Sequence, residues 1–341
     1  MEGTPKRARW YQSSVASSLR VLVTGGAGYI GSHTARLLAE EGFSPFVLDD
    51  LGRGHREAAR FGQLIVGDVG DAALVARVVR DHRIEAAVHF AAFAYVGESV
   101  RDPGLYWTNN TVKSLALVDA LVGAGVRDVV FSSTCATYGD PRSLPLREDH
   151  PQAPVNAYGA SKLAVEHILR SYGVAHGLRW MALRYFNAAG AHPDGTMGER
   201  HDPETHLVPL AIEAALGRAR PLEIFGTDYD TPDGTALRDY VHVLDLADAH
   251  VRALRHLAQG GASGALNLGT GRGHSVREIV SAVEGVVGKP VPHTFGPRRA
   301  GDPPALVADP TNARTTLGWT PQYTDLRAII ETAARWHRRG A

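Results

Sequence analysis

Hydrophobic residues in the first half of the chain form short runs that alternate with longer amphipathic stretches. Each short run is rich in aliphatic residues and ends in glycine or polar residues, which is typical of buried strands. The longer stretches repeat their apolar positions with a helical period. The pattern predicts strands over 20–24, 45–48, 64–66, 86–90, 128–132 and 179–184, and helices over about 30–42, 103–123 and 156–172. This alternation favours an α/β fold with a doubly wound parallel sheet of the Rossmann class.

The regular alternation stops after Asn187. A turn-rich segment covers residues 190–206, and a second, smaller α/β portion follows it. The pattern there predicts helices over 207–216, 244–257, 275–287 and 326–337, and strands over 223–225, 265–268 and 291–295. We therefore expect a Rossmann domain over 20–187 and a C-terminal lobe over 188–341. Part of 238–270 is expected to return to the sheet, so that the lobe is interleaved with the first domain.

Composition and charge exclude several classes of protein. The 341 residues include 36 Lys and Arg against 36 Asp and Glu, with no basic stripe, so nucleic acid and membrane surfaces are poor partners. No apolar run approaches the ~20 residues that cross a bilayer. Residues 1–19 lack the apolar centre of a secretory signal, and we expect a disordered tail there. These features predict a cytoplasmic protein.

The chain has a single cysteine, Cys135. One cysteine excludes an internal disulfide framework and a cysteine-rich zinc site. No histidine or basic residue stands beside it to activate the thiol. We therefore expect a buried core residue rather than a nucleophile.

A glycine-rich turn joins the first predicted strand to the first helix. Gly25, Gly28 and Gly31 place backbone N–H groups at the positive end of that helix, where a diphosphate binds. Asp49 ends the second strand about 20 residues later, where a carboxylate accepts the ribose hydroxyls of NAD and repels the 2′-phosphate of NADP. A plain polar turn is the alternative for Asp49. We predict bound NAD, with Asp68 near its adenine.

Small and hydroxylated residues follow the fourth and fifth strands. The segment 90–92, Phe-Ala-Ala, lets a flat cofactor lie close to the strand end, in the crevice where open parallel sheets bind ligands. Ser132 and Thr134 end the fifth strand and are expected to face the same crevice. We select Thr134 as the residue that hydrogen-bonds a reacting hydroxyl.

Tyr158 and Lys162 lie four residues apart in a helical stretch, so their side chains share one face. A neighbouring ammonium favours phenolate and lowers the pKa of a tyrosine from about 10 toward neutrality. Tyr158 is therefore a candidate acid or base for a hydroxyl proton. The alternative is an ordinary exposed helix. The chain has only four lysines, and using one here favours a tunable amine over a guanidinium.

Histidines in the second half of the chain raise the question of a metal site. None forms a tight H-x3-H pair with a third ligand at useful spacing, so we expect no metal. The six residues considered are His192, His201, His206, His242, His250 and His256.

Nine motifs occur in order between residue 20 and about residue 337. The first five are T-G-G-A-G-Y-I-G-S (24–32), H-F-A-A (89–92), V-G-E-S (96–99), S-S-T-C-A-T-Y-G (132–139) and Y-G-A-S-K (158–162). The later four are R-Y-F-N-A-A-G-A-H-P (184–193), G-T-D-Y-D-T-P-D-G-T (226–235), R-D-Y-V-H-V-L-D-L-A-D-A-H (238–250) and R-R-A-G-D-P-P (298–304). The first group resembles the extended short-chain dehydrogenase/reductase family, and the second group narrows the resemblance to its nucleotide-sugar 4-epimerases.

The resemblance implies an enzyme that interconverts UDP-glucose and UDP-galactose through a transient 4-keto sugar, using tightly bound NAD. Tyr158 would be the base, Lys162 would lower its pKa and hold the nicotinamide ribose, and Thr134 would orient the sugar hydroxyl. The implied NAD-binding residues are Gly25, Gly28, Tyr29, Ile30, Gly31, Asp49, Asp68, Val69, Phe90, Ala91, Ala92, Asn109, Ser132, Tyr158, Lys162 and Tyr185. The implied substrate-binding residues are Thr134, Tyr158, Asn187, His206, Leu207, Glu223, Phe225, Arg238, Tyr240, Arg299, Asp302 and Leu306, with Arg238 and Arg299 on the diphosphate.

Three positions depart from the family pattern. Ala94 replaces a lysine that contacts the cofactor, with Tyr95 as the candidate substitute, and His206 replaces an asparagine. Leu306 stands where a tyrosine restricts the sugar pocket in the family. The smaller leucine implies tolerance of UDP-N-acetylhexosamines.

The resemblance also leaves alternatives and implies an assembly. A UDP-pentose or UDP-uronate 4-epimerase is the main alternative, followed by a nucleotide-sugar 4,6-dehydratase and a non-catalytic NAD-binding sensor. Cys135 and Ala136 stand where those dehydratases carry their acid, and the intact Tyr158 and Lys162 disfavour a sensor. Family members suggest a homodimer joined through the helices near 103–122 and 156–172.

Overall fold

The structure is a computed structural model that describes residues 19–299 and 302–340. The strands are β1 (Arg20–Thr24), β2 (Ser44–Asp49), β3 (Gln63–Val66), β4 (Ala86–His89), β5 (Asp128–Thr134), β6 (Arg179–Tyr185), β7 (Asn187–Ala189), β8 (Leu222–Phe225), β9 (Leu237–His242), β10 (Gly264–Leu268), β11 (Gly273–Ser275), β12 (His293–Gly296) and β13 (Ala305–Leu306). The helices are α1 (Tyr29–Glu40), α2 (Ala72–His82), α3 (Val96–Arg101), α4 (Pro103–Tyr106), α5 (Lys113–Gly123), α6 (Ala157–His176), α7 (Leu207–Ala215), α8 (Val243–Ala258), α9 (Val276–Val287), α10 (Thr311–Leu317) and α11 (Leu326–Arg338).

Seven parallel strands form the central sheet, in the order β10-β6-β5-β4-β1-β2-β3. The chain runs outward from β1 through β2 to β3 and then returns to the other side of β1 with β4. This reversal opens a crevice at the carboxyl ends of β1 and β4, where doubly wound sheets bind ligands. The predicted fold class is confirmed.

Helices cover both faces of the central sheet. On one face α1 and α8 pack against the strands, with Leu38, Leu246, Leu254 and Leu257 fully buried. On the other face α2, α5 and α6 build a second core that includes Val75, Leu117 and Leu169. Because both faces are covered, strands such as β4 and β5 are buried along their whole length.

The second half of the chain builds smaller sheets and shares the large one. Strand β9 pairs with β7, β11 and β13, and β8 pairs with β12. Helices α7, α9 and α11 share a separate hydrophobic core. Strand β10 pairs with β6 in the central sheet, so the chain passes between the two portions more than once. The predicted division at residue 187 stays a prediction.

Some predicted elements differ in detail. The helix predicted over 103–123 contains a π-helical turn, Trp107–Val112, between α4 and α5. Strand β5 runs two residues further than predicted and ends at Thr134. Of the predicted disordered tail, residues 1–18 lie outside the described residues. Within the described part of the chain, no helix is both long and apolar enough to cross a bilayer.

Candidate active site

One cavity of about 520 Å³ runs along the carboxyl ends of the central strands and into the second portion of the chain. All the predicted cofactor and substrate residues lie in its wall, although they come from positions as distant as Gly25 and Leu306. The fold therefore brings both predicted sets to one place. The role of each residue in binding stays a prediction.

The glycine turn leaves no room for side chains. Gly25 has φ +70°, and a Cβ there would lie 2.5 Å from the backbone nitrogen of Ala91. A Cβ on Gly31 would lie 2.3 Å from the carbonyl oxygen of Gly25. Gly28 caps α1 without any side-chain hydrogen bond to the first-turn N–H groups. The N–H groups at the start of α1 therefore border the cavity and can bind a diphosphate. A dinucleotide carries such a diphosphate, so the turn fits a dinucleotide.

Carboxylates follow β2 and β3, as predicted. Asp49 accepts hydrogen bonds from the N–H groups of Ala27 and Leu51, both at 2.9 Å, and these bonds hold its carboxylate in the cavity wall. Burial raises the pKa of Asp49, and the two N–H donors oppose that rise. Asp68 forms an ion pair with Lys113 at 2.6 Å and accepts from the N–H of Gly70 at 2.7 Å. Burial raises the pKa of the Asp68 carboxyl, but these two contacts together outweigh it and lower that pKa.

Arg53 makes several contacts with the segment that follows β4. The Arg53 guanidinium lies 3.9 Å from the centre of the Phe93 ring and donates to both oxygens of Glu98 at 2.8 Å. Glu98 also accepts a hydrogen bond from Tyr106 at 2.7 Å. Arg53 thus supplies a cation at the rings of Phe93 and Tyr95, on either side of Ala94, a contribution that motif reasoning missed because Arg53 lies outside the recognised motifs.

Tyr158, Thr134 and Lys162 meet where β5 ends and α6 begins. Asn156 caps α6 by accepting from the N–H of Gly159 at 2.9 Å. A Cβ on Gly159 would lie 2.3 Å from the carbonyl oxygen of Ala136, so glycine lets the helix start press against the strand end. The Thr134 hydroxyl hydrogen-bonds the phenol of Tyr158. The predicted trio is therefore assembled in the cavity.

The predicted lowering of the Tyr158 pKa by Lys162 is wrong for this arrangement. Burial raises the pKa of Tyr158 to about 12, against a smaller opposing effect of the Thr134 hydrogen bond. Lys162 donates instead to the backbone carbonyl of Ser132 at 2.8 Å. Burial also lowers the pKa of Lys162 to about 7, so at pH 7 only about half of the amine is protonated and able to favour the phenolate.

Cationic and aromatic residues line the other half of the cavity. Arg238 forms an ion pair with Asp302, and the guanidinium of Arg299 lies 4.5 Å from the centre of the Phe225 ring. Leu306 is 9% exposed and packs against Cys135. Cys135 is buried, and this burial raises the pKa of its thiol to about 12. The prediction that Cys135 is a buried core residue is confirmed.

Two histidines and two carboxylates from the segment 199–206 lie close together in the structure. His206 Nδ1 lies 2.8 Å from Glu199 Oε1 and 2.9 Å from Glu204 Oε1. His201 Nδ1 lies 3.2 Å from Glu199 Oε1 and 3.6 Å from Glu204 Oε2. Burial lowers the pKa of each imidazole, but the carboxylates outweigh it and raise the pKa to about 9 for His201 and about 10 for His206. The E-x-H-x-x-E-x-H spacing was the available sequence signal.

Known proteins are similar to this chain in sequence and in fold. The model of the NAD dependent epimerase/dehydratase family matches residues 21–269. A UDP-glucose 4-epimerase of Azospirillum brasilense is 55% identical over 324 residues, which cover 95% of this chain and 93% of that relative.

Solved structures agree. UDP-glucose 4-epimerase from Brucella ovis in complex with NAD matches with a TM-score of 0.91 at 53% identity, over 93% of this chain and 97% of that one. UDP-glucose 4-epimerase from Bifidobacterium longum in complex with NAD+ and UDP matches with a TM-score of 0.90 at 37% identity, over 94% of this chain and 98% of that one. This chain therefore belongs to the NAD dependent epimerase/dehydratase family.

Proposed function

We propose that this protein is an NAD-dependent UDP-glucose 4-epimerase, which interconverts UDP-glucose and UDP-galactose. The observation that carries the proposal is the position of Tyr158 and Thr134. They lie in one continuous cavity, between the glycine turn on one side and Arg238 and Arg299 on the other. A dinucleotide and a nucleotide sugar bound at the two ends would meet at this pair.

The protein residues divide the work of the reaction. Bound NAD supplies a hydride acceptor at its nicotinamide ring and the positive charge of that ring, which favours phenolate. Tyr158 takes the proton of the sugar 4-hydroxyl and later returns it, while Thr134 orients that hydroxyl. Arg238 and Arg299 hold the diphosphate, so that binding energy from the remote nucleotide retains the 4-keto sugar while its ring turns over.

Each predicted binding residue keeps its role in this proposal. The cofactor is held by Gly25, Gly28, Tyr29, Ile30, Gly31, Asp49, Asp68, Val69, Phe90, Ala91, Ala92, Asn109, Ser132, Tyr158, Lys162 and Tyr185. The nucleotide sugar is held by Thr134, Tyr158, Asn187, His206, Leu207, Glu223, Phe225, Arg238, Tyr240, Arg299, Asp302 and Leu306. The close packing around Gly25 and Gly31 supports the cofactor set, because it leaves backbone N–H groups exposed to a diphosphate.

The test is to incubate the purified protein with UDP-galactose, with no added cofactor, and to measure UDP-glucose. Turnover without added NAD is expected, because the reaction involves no net oxidation. Turnover of UDP-pentoses or UDP-uronates with none of UDP-galactose would favour the alternative 4-epimerase. Loss of water from the sugar would favour a dehydratase. Bound NAD with no turnover of any nucleotide sugar would favour a sensor.

We further propose that the enzyme accepts UDP-N-acetylhexosamines. Leu306 lines the cavity and packs among Cys135, Tyr138 and Phe186, where a tyrosine would need more volume. Wild type is expected to epimerise UDP-N-acetylglucosamine, and Leu306→Tyr to lose that activity while keeping UDP-galactose turnover. Wild type that turns over UDP-galactose but not UDP-N-acetylglucosamine contradicts this idea.

We propose a homodimer formed through the helices around 103–122 and 156–172. Large hydrophobic side chains are exposed along this part of the chain, namely Val100, Trp107, Val112, Leu115 and Val174. Helices α3, α4 and α5 each contact α6, and exposed apolar groups on helices that contact one another favour a protein interface. Light scattering on wild type and on Val112→Glu should show a dimer and a monomer, respectively.

A cytoplasmic location and the division at residue 187 remain predictions of the sequence.

A further inference from the structure

We propose that Glu199, His201, Glu204 and His206 bind one divalent transition-metal ion, with Zn²⁺ as the ion that best fits the donors. The four residues lie between β7 and α7, and Glu199, His201 and His206 line the cavity. The proposal does not depend on the epimerase activity. It concerns a site that fixes the structure of this wall.

The first support is the convergence of four ligand atoms. One nitrogen or oxygen from each residue lies within 4.8 Å of the others. The closest nitrogen–oxygen distances are 2.8 and 2.9 Å from His206 and 3.2 and 3.6 Å from His201. Tetrahedral Zn²⁺ with bonds of about 2.0–2.2 Å holds its ligands roughly 3.3–3.6 Å apart. The cluster therefore needs only small movements to surround an ion.

The second support is the unsatisfied nitrogen of His201. Its Nδ1 is buried and makes no hydrogen bond, although a carboxylate oxygen of Glu199 lies 3.2 Å away. Neither neighbouring carboxylate oxygen thus lies where an N–H at this position would point. A buried polar atom without a partner destabilises a fold by about 1–3 kcal/mol. A metal ion at the centre of the cluster would satisfy the nitrogen through its lone pair.

The third support is Tyr95, which packs against the cluster. Its side chain is 7% exposed, and its hydroxyl has no hydrogen-bond partner. The Tyr95 ring centre lies 5.8 Å from that of His201 and 6.3 Å from that of His206. A water bound to the ion would give this hydroxyl a partner.

The fourth support for a metal ion is the negative charge of the two neighbouring carboxylates. Glu199 is only 5% exposed, and two carboxylates at one buried point need two positive charges. The imidazole nitrogens of the two histidines lie 2.8 to 3.6 Å from these carboxylates, so the charge is balanced either by two imidazolium protons or by one divalent ion. Two imidazoles and two carboxylates form a donor set that suits Zn²⁺.

The site would order the start of α7. His206 is the N-cap of α7, and Leu207, the first residue of that helix, lines the cavity. The carbonyl of Glu199 accepts a hydrogen bond from the Trp336 indole at 2.9 Å, which ties the other end of the segment to α11. An ion that links residues 199 and 206 would therefore fix the loop between these anchors.

Zn²⁺ binding to the full-length protein tests the proposal. Protein stripped with a chelator is titrated with Zn²⁺ by calorimetry, and metal content is measured by mass spectrometry after gel filtration. We expect one ion per chain. Glu204→Gln, which keeps the size of the side chain, should weaken Zn²⁺ binding at least about 100-fold, since even outer-shell partners change affinity about 10–100-fold.

A matched control uses an exposed histidine outside the cluster. His167 is exposed on α6, and His167→Asn should bind Zn²⁺ like wild type. Co²⁺ loaded into wild type should show the visible absorption of a tetrahedral ion, a readout that needs no variant. Absence of saturable Zn²⁺ binding overturns the proposal, and so does binding that Glu204→Gln leaves unchanged. Epimerase activity can persist in either case, so failure of this proposal and failure of the proposed function are distinguishable.

Discussion

Tyr158 shows how the setting of one residue decides its chemistry. Its spacing from Lys162 is a property of the sequence, but the pKa of its phenol depends on burial and on the hydrogen bond from Thr134. The Lys162 amine donates a hydrogen bond to the backbone carbonyl of Ser132, and burial lowers the pKa of this amine to about 7. In this cavity Lys162 is therefore held by the backbone at the end of β5 and is about half protonated at neutral pH.

Replacing the phenol tests its role directly. Tyr158→Phe is expected to lower kcat for UDP-galactose by at least about 100-fold, because a positioned acid or base contributes about 10²–10⁴ in rate. Bound NAD, measured by absorbance after denaturation, should be unchanged. Tyr172→Phe, on the same helix and with a phenol that donates to Asp119 at 3.1 Å, should keep full activity. Substantial activity in Tyr158→Phe would remove the residue as the base.

The glycine turn gives a second prediction about a single residue. Gly31→Ala is expected to reduce the NAD content of the purified protein strongly, because the new methyl group would lie 2.3 Å from the carbonyl oxygen of Gly25. Gly123→Ala is the control, since a Cβ there meets nothing within 4 Å. That control should keep NAD and gain up to about 1 kcal/mol of stability. Equal NAD content in both variants would contradict the packing argument.

Helix α6 is held to the sheet by a buried ion pair behind the candidate catalytic residues. Arg184 on β6 donates to both carboxylate oxygens of Glu166, at 2.6 and 3.0 Å. Ser133 on β5 donates to the same carboxylate at 2.5 Å, and Arg184 also donates to Tyr138 at 2.9 Å. The network joins the end of β5, which carries Thr134, to the helix that carries Tyr158.

Breaking that pair should destabilise the whole protein. Glu166→Gln leaves the Arg184 guanidinium buried without its counter-charge, which is expected to reduce the free energy of unfolding by about 3–5 kcal/mol. Glu331→Gln on α11 breaks an exposed pair with Arg327 and should change stability by no more than about 0.5 kcal/mol. Urea denaturation of both variants measures the difference. Similar losses of unfolding free energy in the two variants would show that burial does not make the Glu166–Arg184 pair more important for stability than the exposed pair.

At the scale of the whole molecule, buried neutral histidines set the response to acid. Burial lowers the pKa to about 4 for His33 and His250 and to about 3 for His89 and His242. An unfolded histidine titrates near 6.5, so below that pH the unfolded chain binds more protons than the native one. The contribution of these four histidines to stability is therefore complete above about pH 6.5 and falls as the pH drops toward their native pKa values.

The expected loss is up to about 1.4 kcal/mol per pH unit for each of these histidines. His89→Gln tests one of them, since an amide can replace the hydrogen bonds to Thr24 at 2.7 Å and Ser114 at 2.8 Å. The stability difference between pH 7.5 and 5.5, from urea denaturation, should shrink by about 1.4 kcal/mol in this variant. The exposed His167→Gln should keep the wild-type difference. Parallel profiles for wild type and His89→Gln would exclude this histidine as a source of acid sensitivity.

The sequence alone determined the alternation of strands and helices in the first half of the chain, the glycine turn and the spacing of Tyr158 and Lys162. These features are local, because periodicity and turn residues act over a few positions. The same reasoning missed the π-helical turn over Trp107–Val112. There the side chain of Asn110 bonds both the N–H and the carbonyl of Phe93, a contact that joins distant parts of the chain.

The tertiary structure decided what depends on distant neighbours. It brought Arg53 onto Glu98, Arg184 onto Glu166, and His201 beside His206 and two carboxylates. It also reversed the expected direction of the Tyr158 pKa. The physical reason is that desolvation and charge pairing are sums over all groups that the fold packs around an atom, and local sequence patterns contain no record of that sum.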